Sequence, residues 1–320
     1  MLAGEAGHER WRGRLAGALT LLVVVACTGL AVWAAVSLPL LGLLAAVYLA
    51  WAGLAMGSLL QTGEFVLERV EQAAETEARQ ALSWLVSRDT SAMDCRLMRK
   101  TLADTLSENL TDAFTAPFFW LLVGGPVALW CYKAVSTTDS MWGYMTPKWC
   151  WLGWAGARAD DGLAFVPARL AALSAALVHA LFLLRQRLEA VCGDGARGGD
   201  ESRGGTAPWG RYCPGRWPGR WPGLAVVARQ ASGMPSPNSG WSMAACAWLC
   251  GARMAGPSVY FGELVDKPWL GPPPDKGLPG ASSAAWDAPR LLTLCDLLRQ
   301  SALYGGLVLW ALALACLFIF

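Results

Sequence analysis

Hydrophobic positions along the chain gather into five long runs, residues 15–36, 38–60, 114–132, 163–184 and 301–320. Each is about the length a helix needs to cross the hydrocarbon of a bilayer, roughly 20 residues. The pattern predicts an all-α, polytopic membrane protein with about five apolar segments. Residues 15–60 read as a helical hairpin turned near Ser37 and Pro39. The third run is irregular: it starts at Ala116-Pro117 and is interrupted by Gly124-Gly125-Pro126. Proline and paired glycines break or kink a helix, and a break at membrane depth is tolerated where protein or a polar cavity covers the freed backbone. This segment is expected to be broken or re-entrant.

Between the runs the pattern changes. Glu64 to Arg79 carries an apolar stripe of Phe65, Val66, Val70 and Ala73, the mark of an amphipathic helix at the membrane face or of a solvated connecting helix. A second helix is expected from Ala92 to Asn109, with a basic patch of Arg96, Arg99 and Lys100. Residues 185–223 turn to Gly, Arg, Pro and Trp, with Gly-Arg-Trp-Pro twice in tandem, and read as a low-complexity linker. The organisation expected is a membrane hairpin over 1–60, motif-bearing helices and two further membrane segments over 61–184, the linker over 185–223, a C-terminal motif region over 224–300, and a terminal membrane helix over 301–320.

Composition agrees with the membrane class: 55% of residues are hydrophobic, 16% are charged, and mean hydropathy is +0.36. A net charge of +2 gives no case for a nucleic-acid partner. Arg10, Arg12 and Arg14 precede the first run, but that run is too long for a signal-peptide core and a second follows at once. Ten scattered cysteines lack zinc-ribbon or thioredoxin spacing and read as apolar packers; Cys246 and Cys250 share a helix face. His8 and His179 are the two histidines, which argues against a His-based metal centre or a Ser-His-Asp triad. His179, in an apolar helix, suits a helix-to-helix hydrogen bond or a proton relay.

Lys/Arg bias places the N-terminus, residues 61–113 and residues 186–300 in the cytoplasm if all five runs cross. Residues 133–162 would then lie on the opposite side. That separates polar words which look as if they belong together, so a site near the cytoplasmic interface is expected, with the third segment re-entrant.

Those words are Ser87-Arg88-Asp89-Thr90, Ser107-Glu108-Asn109-Leu110-Thr111-Asp112, Thr138-Asp139-Ser140 and Ala157-Arg158-Ala159-Asp160-Asp161. Charges beside membrane spans are expensive and mark function. Glu108, Asp112, Asp139, Asp160 and Asp161 form the candidate catalytic set. With Asn109 and Ser140 they offer the hard oxygens that suit Mg²⁺. Arg88, Arg158, Arg169 and Lys267 are candidates to hold phosphates or carboxylates. Each word has a plainer reading: Arg88-Asp89 as a capping ion pair, Asp160-Asp161 as a solvated pair, Glu108-Asn109 as the end of one helix and cap of the next. The aromatic cluster Trp142, Tyr144, Trp149, Trp151 and Trp154 fits a membrane interface or the wall of a planar ligand. No Walker loop is present.

From Arg79 to Gly271 these words resemble the adenosylcobinamide-phosphate synthase family of cobalamin biosynthesis. The resemblance rests on Leu82-Ser83-Trp84-Leu85-Val86-Ser87-Arg88-Asp89-Thr90, on Glu108-Asn109-x-x-Asp112 with Ala116-Pro117-Phe118-Phe119, and on Tyr132 through Tyr144. It rests further on Ala157-Arg158-x-Asp160-Asp161 with Pro167-Ala168-Arg169-Leu170, on Ser236-Pro237-Asn238, and on Tyr260-x-Gly262-x-x-x-Asp266-Lys267-Pro268-x-x-Gly271. It implies a multi-pass enzyme of the bacterial inner membrane, its site facing the cytoplasm. The reaction implied joins a corrin propionate of adenosylcobyric acid to the amine of aminopropanol or its O-phosphate, using ATP and Mg²⁺. Asp139, Asp160 and Asp161 would be the metal ligands. Arg88, Asp89, Thr90, Asn109, Ser140, Tyr144, Arg158, Arg169, Ser236, Asn238, Tyr260 and Lys267 would bind substrate, with other corrinoid-assembly enzymes of the membrane as further partners. The chain departs from the family at Ser87 and Ala113 (usually Gly), at Ser136 (usually Asn) and near Met243 (usually acidic). It also lacks the family's leading apolar segment with its Gly-Asp-Pro and His-Pro elements, which leaves the N-terminus open. A non-catalytic membrane scaffold for corrinoid assembly is the alternative reading, and a small transporter the third.

Overall fold

A computed structural model describes residues 2–143, 151–192, 206–207, 210–211, 217–260, 263–273 and 285–319. In chain order the helices are α1 (Leu2–Val36), α2 (Gly42–Gly53), α3 (Met56–Glu71), α4 (Glu75–Ser83), α5 (Cys95–Leu110), α6 (Ala116–Trp142), α7 (Trp154–Leu163), α8 (Phe165–Cys192), α9 (Leu224–Ala231), α10 (Ser239–Cys250) and α11 (Ala288–Ile319). A π-helical turn, Thr111–Thr115, joins α5 to α6. Sheet among the described residues is confined to three antiparallel pairs. They are β1 (Thr206–Ala207) with β2 (Gly210–Arg211), β3 (Met254–Ala255) with β6 (Trp269–Leu270), and β4 (Ser258–Tyr260) with β5 (Glu263–Val265). Among the described residues five helical stretches are long and apolar enough to cross a membrane: Arg10–Val36, Gly42–Glu71, Cys95–Trp142, Phe165–Glu189 and Ala288–Cys316. The all-α, multi-pass expectation is therefore borne out.

The chain divides into two compact units. The first comprises Met1–Ala55, Asp112–Pro167 and Leu309–Phe320; the second comprises Met56–Thr111 and Ala168–Val308.

In the first unit α1 packs along α6 and α7, and α2 packs along α6. Leu22, Leu30, Trp33, Leu43, Leu44 and Trp51 stay exposed on α1 and α2, as a lipid-facing surface requires. The hairpin between them turns at residues 37–41, where Leu41 N–H donates to the Pro39 carbonyl at 2.8 Å. Inside α6 the helix is broken where the sequence predicts. Gly124 has φ −145° and ψ 26°, and Gly125 has φ 65° and ψ −162°, a region essentially reserved for glycine. The break is a reversal. Tyr132 Oη donates to Asp112 Oδ1 at 3.1 Å, although 20 positions separate them. Straight helix would place those residues about 30 Å apart, at 1.5 Å per residue. The chain from Asp112 to Tyr132 must therefore double back at Gly124-Gly125.

The second unit is built around α5. Asp94 caps it, accepting Leu97 N–H at 2.7 Å. Met98, Leu102, Leu106 and Leu110, four apart, are fully buried, and α3 and α10 pack against the helix. The helix expected over Glu64–Arg79 is two helices, α3 and α4, with Ala73 between them at φ 56°. Phe65 also leaves the buried stripe; it is 40% exposed and lies under the Arg69 guanidinium. Most of the expected linker lies outside the described residues. Its last part is packed: Trp217 is buried edge-on to Phe182, and Gly219 N–H donates to the Leu249 carbonyl at 2.9 Å.

Candidate functional site

In the first unit the doubling-back gathers carboxylates from three places. Asp112 sits in the π-helical turn, a feature that often marks functional positions. Asp139 sits on the last turns of α6, and Asp160 and Asp161 on α7. Tyr132 holds Asp112 from the returning arm. Ala116, Tyr132 and Ala164 form the apolar floor with Trp120, whose Nε1 donates to the Leu163 carbonyl at 3.2 Å. Gly143 closes the group: a Cβ there would run into Asp139 Oδ1 and the Asp139 carbonyl oxygen.

Asp160 is the most perturbed member outside the spans. Burial, then the charges of Asp112, Asp139 and Asp161, push its carboxyl up to about 8, and the Ser136 hydroxyl works against that rise. Its Oδ1 is buried and has no hydrogen-bond partner among the described residues. The plainer reading of Asp160-Asp161 as a solvated pair fails for Asp160 on this ground. Asp161 keeps a loose pair with Arg158, Nη1 to Oδ2 at 3.5 Å, in which Arg158 is largely exposed. Ser140 is exposed, and its hydroxyl donates to the Ser136 carbonyl at 2.9 Å. Trp151 and Trp154 lie against Arg10 and Arg14 of α1. Tyr144 and Trp149 fall outside the described residues.

The donor chemistry here fits Mg²⁺: hard carboxylate oxygens, like charges crowded together, and one unpartnered buried oxygen. No three His, Cys, Asp or Glu side chains among the described residues form a ready-made cage. The fit is to an open site of one or two carboxylates, the usual arrangement where Mg²⁺ retains water and shares phosphates.

The second unit holds the other candidates. Glu108 and Asn109 close α5, with Asn109 Nδ2 donating to the Thr105 carbonyl at 2.9 Å. Arg88 does not pair with Asp89. Its Nη1 reaches Asp104 Oδ2 at 3.1 Å, and Lys100 Nζ reaches the same oxygen at 3.0 Å. Asp104 Oδ1 takes the Ala255 N–H at 2.9 Å. Asp89 is exposed and accepts from Ser91, which lowers it from the ordinary carboxylate range. Thr90 is buried and donates to the Arg79 carbonyl at 3.0 Å. Arg169 Nη1 donates to Asn238 Oδ1 at 3.1 Å and lies over the Trp241 ring; Asn238 N–H donates to Ser236 Oγ at 3.2 Å. Lys267 is half-buried between β5 and β6. Tyr260 is described only by its backbone, paired with Glu263. Of the two histidines, His8 has no described side chain, and His179 Nδ1 is buried with no partner among the described residues. Cys246, Cys250 and Cys295 are free, buried thiols. Burial pushes Cys246 up to about 12, so it behaves as an inert packer.

Sequence reasoning missed Asp104, a fully buried carboxylate with three donors. Its signal was an acid lying between Leu102 and Leu106 in the buried stretch of α5.

The model of the CobD/CbiB protein family matches residues 2–285 of the chain. The chain belongs to the CobD/CbiB family. It is 36% identical over 267 residues to a cobalamin biosynthesis protein CobD of Pelobacter propionicus, covering 83% of this chain and 72% of that protein. It is 35% identical over 263 residues to the CobD of Klebsiella pneumoniae, covering 81% and 72%. With the cobalamin biosynthesis protein CbiB of Salmonella arizonae it shares 31% identity over 306 residues, 94% of this chain and 81% of that one. No solved structure matches. Membership makes this CobD/CbiB chain a cobalamin biosynthesis protein, and its five apolar stretches make it a multi-pass membrane protein. Ser136 falls within the carboxylate cluster itself, against Asp160.

Proposed function

We propose that this chain forms the amide between a propionate carboxyl of adenosylcobyric acid and the amine of aminopropanol or its O-phosphate, driven by ATP, at the cytoplasmic face of the bacterial inner membrane. The observation that carries the reading is the set Asp112, Asp139 and Asp160, drawn together by the doubled α6 with Asp160 raised to about 8. A carboxylate is a poor acyl donor and has to be activated before an amine attacks. The amine has the opposite problem: it arrives as an ammonium and must shed a proton to become a nucleophile. A carboxylate of ordinary pKa, about 4, is a weak base for that step. Asp160 is better matched to it, and its unpartnered Oδ1 is the atom that takes the proton. Asp112 and Asp139 supply the negative field that draws the ammonium in, and the Tyr132 hydroxyl fixes the Asp112 side chain.

Of the expected metal ligands, Asp139 and Asp161 are the ones that would hold Mg²⁺, as an open site of one or two carboxylates, and the ion when bound would offset the charge of the activating phosphates; Asp160 is kept for the proton.

The test is a reconstitution. Purified protein in detergent, given adenosylcobyric acid, ATP, Mg²⁺ and aminopropanol phosphate, is expected to yield a corrinoid heavier by one amide condensation. Asp139→Asn and Asp160→Asn are expected to lose at least about tenfold in turnover, about 1.4 kcal/mol of transition-state stabilisation. Absence of product with either amine overturns the enzyme reading. It would leave a corrinoid scaffold, which Ser136 at the cluster favours.

A further inference from the structure

A second, chemically distinct recess lies wholly within the second unit. It has a volume of about 450 Å³, in the range of small-molecule sites, and is lined by Asp94, Arg96, Lys100, Arg253, Trp269 and Trp286 among others. Its charge balance is unusual. The one acid in that group, Asp94, is spent on capping α5. Lys100 Nζ and Arg88 Nη1 both reach Oδ2 of Asp104.

Arg253 is the decisive cation of the recess. It is half-buried, its guanidinium lies 4.5 Å from the Trp269 ring centre, and no carboxylate pairs with it among the described residues. Lys100 Nζ lies 5.2 Å from the same ring. Burial lowers Arg253 from the ordinary arginine value, without bringing it near neutrality. Arg96 is exposed and likewise has no ion pair among the described residues.

The cations are held in place. The Trp286 indole donates to the Arg253 carbonyl at 2.8 Å. Two residues on, Ala255 sits at φ 57°, a strained position for a residue with a side chain, and its N–H is fixed by Asp104. β3 pairs Ala255 with Trp269, which sets the indole beside the guanidinium. A guanidinium held on an aromatic face with no carboxylate beside it is arranged to receive an anion.

We propose that this recess binds a phosphate-bearing ligand, its phosphate held by Arg253, Arg96 and Lys100 and its body lying against Trp269 and Trp286. A bare phosphate would occupy a small part of the volume, so the ligand is a phosphate ester or anhydride with an organic body. A nucleotide and an anionic lipid headgroup both meet that description. The proposal does not rest on the amide-forming reading.

The test uses the full chain in detergent, with ATP and inorganic phosphate as soluble probes by equilibrium dialysis, and in co-sedimentation with vesicles of phosphatidylglycerol or of phosphatidylcholine. ATP bound more tightly than phosphate identifies a nucleotide; selective capture by phosphatidylglycerol identifies a headgroup. In either case Arg253→Gln and Arg96→Gln are each expected to weaken binding about tenfold or more, and Arg253→Lys to restore part of it. Arg96 is on the surface, so its variant reads binding even if the Arg253 variant folds poorly. The proposal is overturned if no probe binds. It is overturned equally if binding survives both arginine substitutions, or if Asp160→Asn abolishes it while they do not.

Discussion

The Tyr132 hydroxyl donates to Asp112 Oδ1 across 20 positions of chain that the sequence reads as one apolar run. This contact turns a candidate membrane crossing into a doubled-back hairpin. It also lets carboxylates before and after that run share one site. Removing the hydroxyl in Tyr132→Phe takes away the donor to a partly buried carboxylate oxygen. Thermal unfolding in detergent should show a loss of about 1–3 kcal/mol. Turnover should fall with it, because Asp112 is no longer held. A variant with unchanged melting and turnover would show that the hairpin is fixed by its apolar floor alone.

The reversal itself depends on Gly125. At φ 65° and ψ −162° a side chain is strained, at about 1–3 kcal/mol. Nothing lies within 4 Å of a Cβ built there, so Gly125→Ala tests backbone strain without a steric clash. Gly143→Ala is the complement: it would press on the Asp139 carboxylate. The first variant should lower melting temperature more than turnover at permissive temperature. The second should lower turnover more than melting temperature. Equal behaviour of the two would separate neither strain nor positioning.

Much of this was legible in the sequence because its causes are local. Apolar runs mark helices, and Gly124-Gly125-Pro126 marks a break, since each acts through its own backbone. The reversal was legible only as a conflict, Asp112 and Asp139 assigned to opposite sides of a membrane by charge bias. Its direction depends on Tyr132 meeting Asp112, a contact no local rule contains. Asp104 was hidden for a different reason. α5 carries Arg96, Arg99 and Lys100 and reads as a helix with a basic patch, yet every residue from Thr101 to Ser107 is buried by what packs around it. Arg88 was singled out beside Asp89, but its partner is 16 positions away.

Asp104 makes a strong stability prediction. One buried carboxylate takes Arg88, Lys100 and the Ala255 N–H, so its neutralisation removes the anion that the two cations share. Asp104→Asn should cost about 3–5 kcal/mol, the usual penalty for breaking a buried pair from one side. Adding Lys100→Met to that variant should recover part of the loss by removing one stranded charge. Urea or thermal unfolding of the three proteins in detergent checks the order. If the double variant is no more stable than Asp104→Asn, the charge argument fails.

Asp160 sets a pH dependence. Its folded value of about 8 lies above the roughly 3.9 of an unfolded aspartate, so the folded state holds the extra proton between those limits. Stability contributed by that proton is full below about pH 4 and is lost progressively as pH rises to about 8. In metal-free detergent the melting temperature should therefore fall from pH 5 to pH 8. Asp160→Asn cannot titrate and should flatten most of that slope. A slope that survives the substitution would assign the titration to another group.

Placement in the membrane is the last consequence of the doubled α6. If the arms flanking Gly124-Gly125 return to the side they left, the Asp112 and Asp139 ends face one compartment. The Lys/Arg-rich stretch 61–113 then places both in the cytoplasm. Thr137 and Ser87 are exposed and suit the test. Single cysteines at each, in a background without the ten native cysteines, would be probed with a membrane-impermeant thiol reagent in intact cells and in inverted vesicles. The reversal predicts that both label only in inverted vesicles. Labelling of Thr137→Cys from outside intact cells, with Ser87→Cys reached only from inside, would mean a plain crossing. The carboxylate cluster would then have to work from the opposite face, away from cytoplasmic ATP, and the proposed reaction would fall with it.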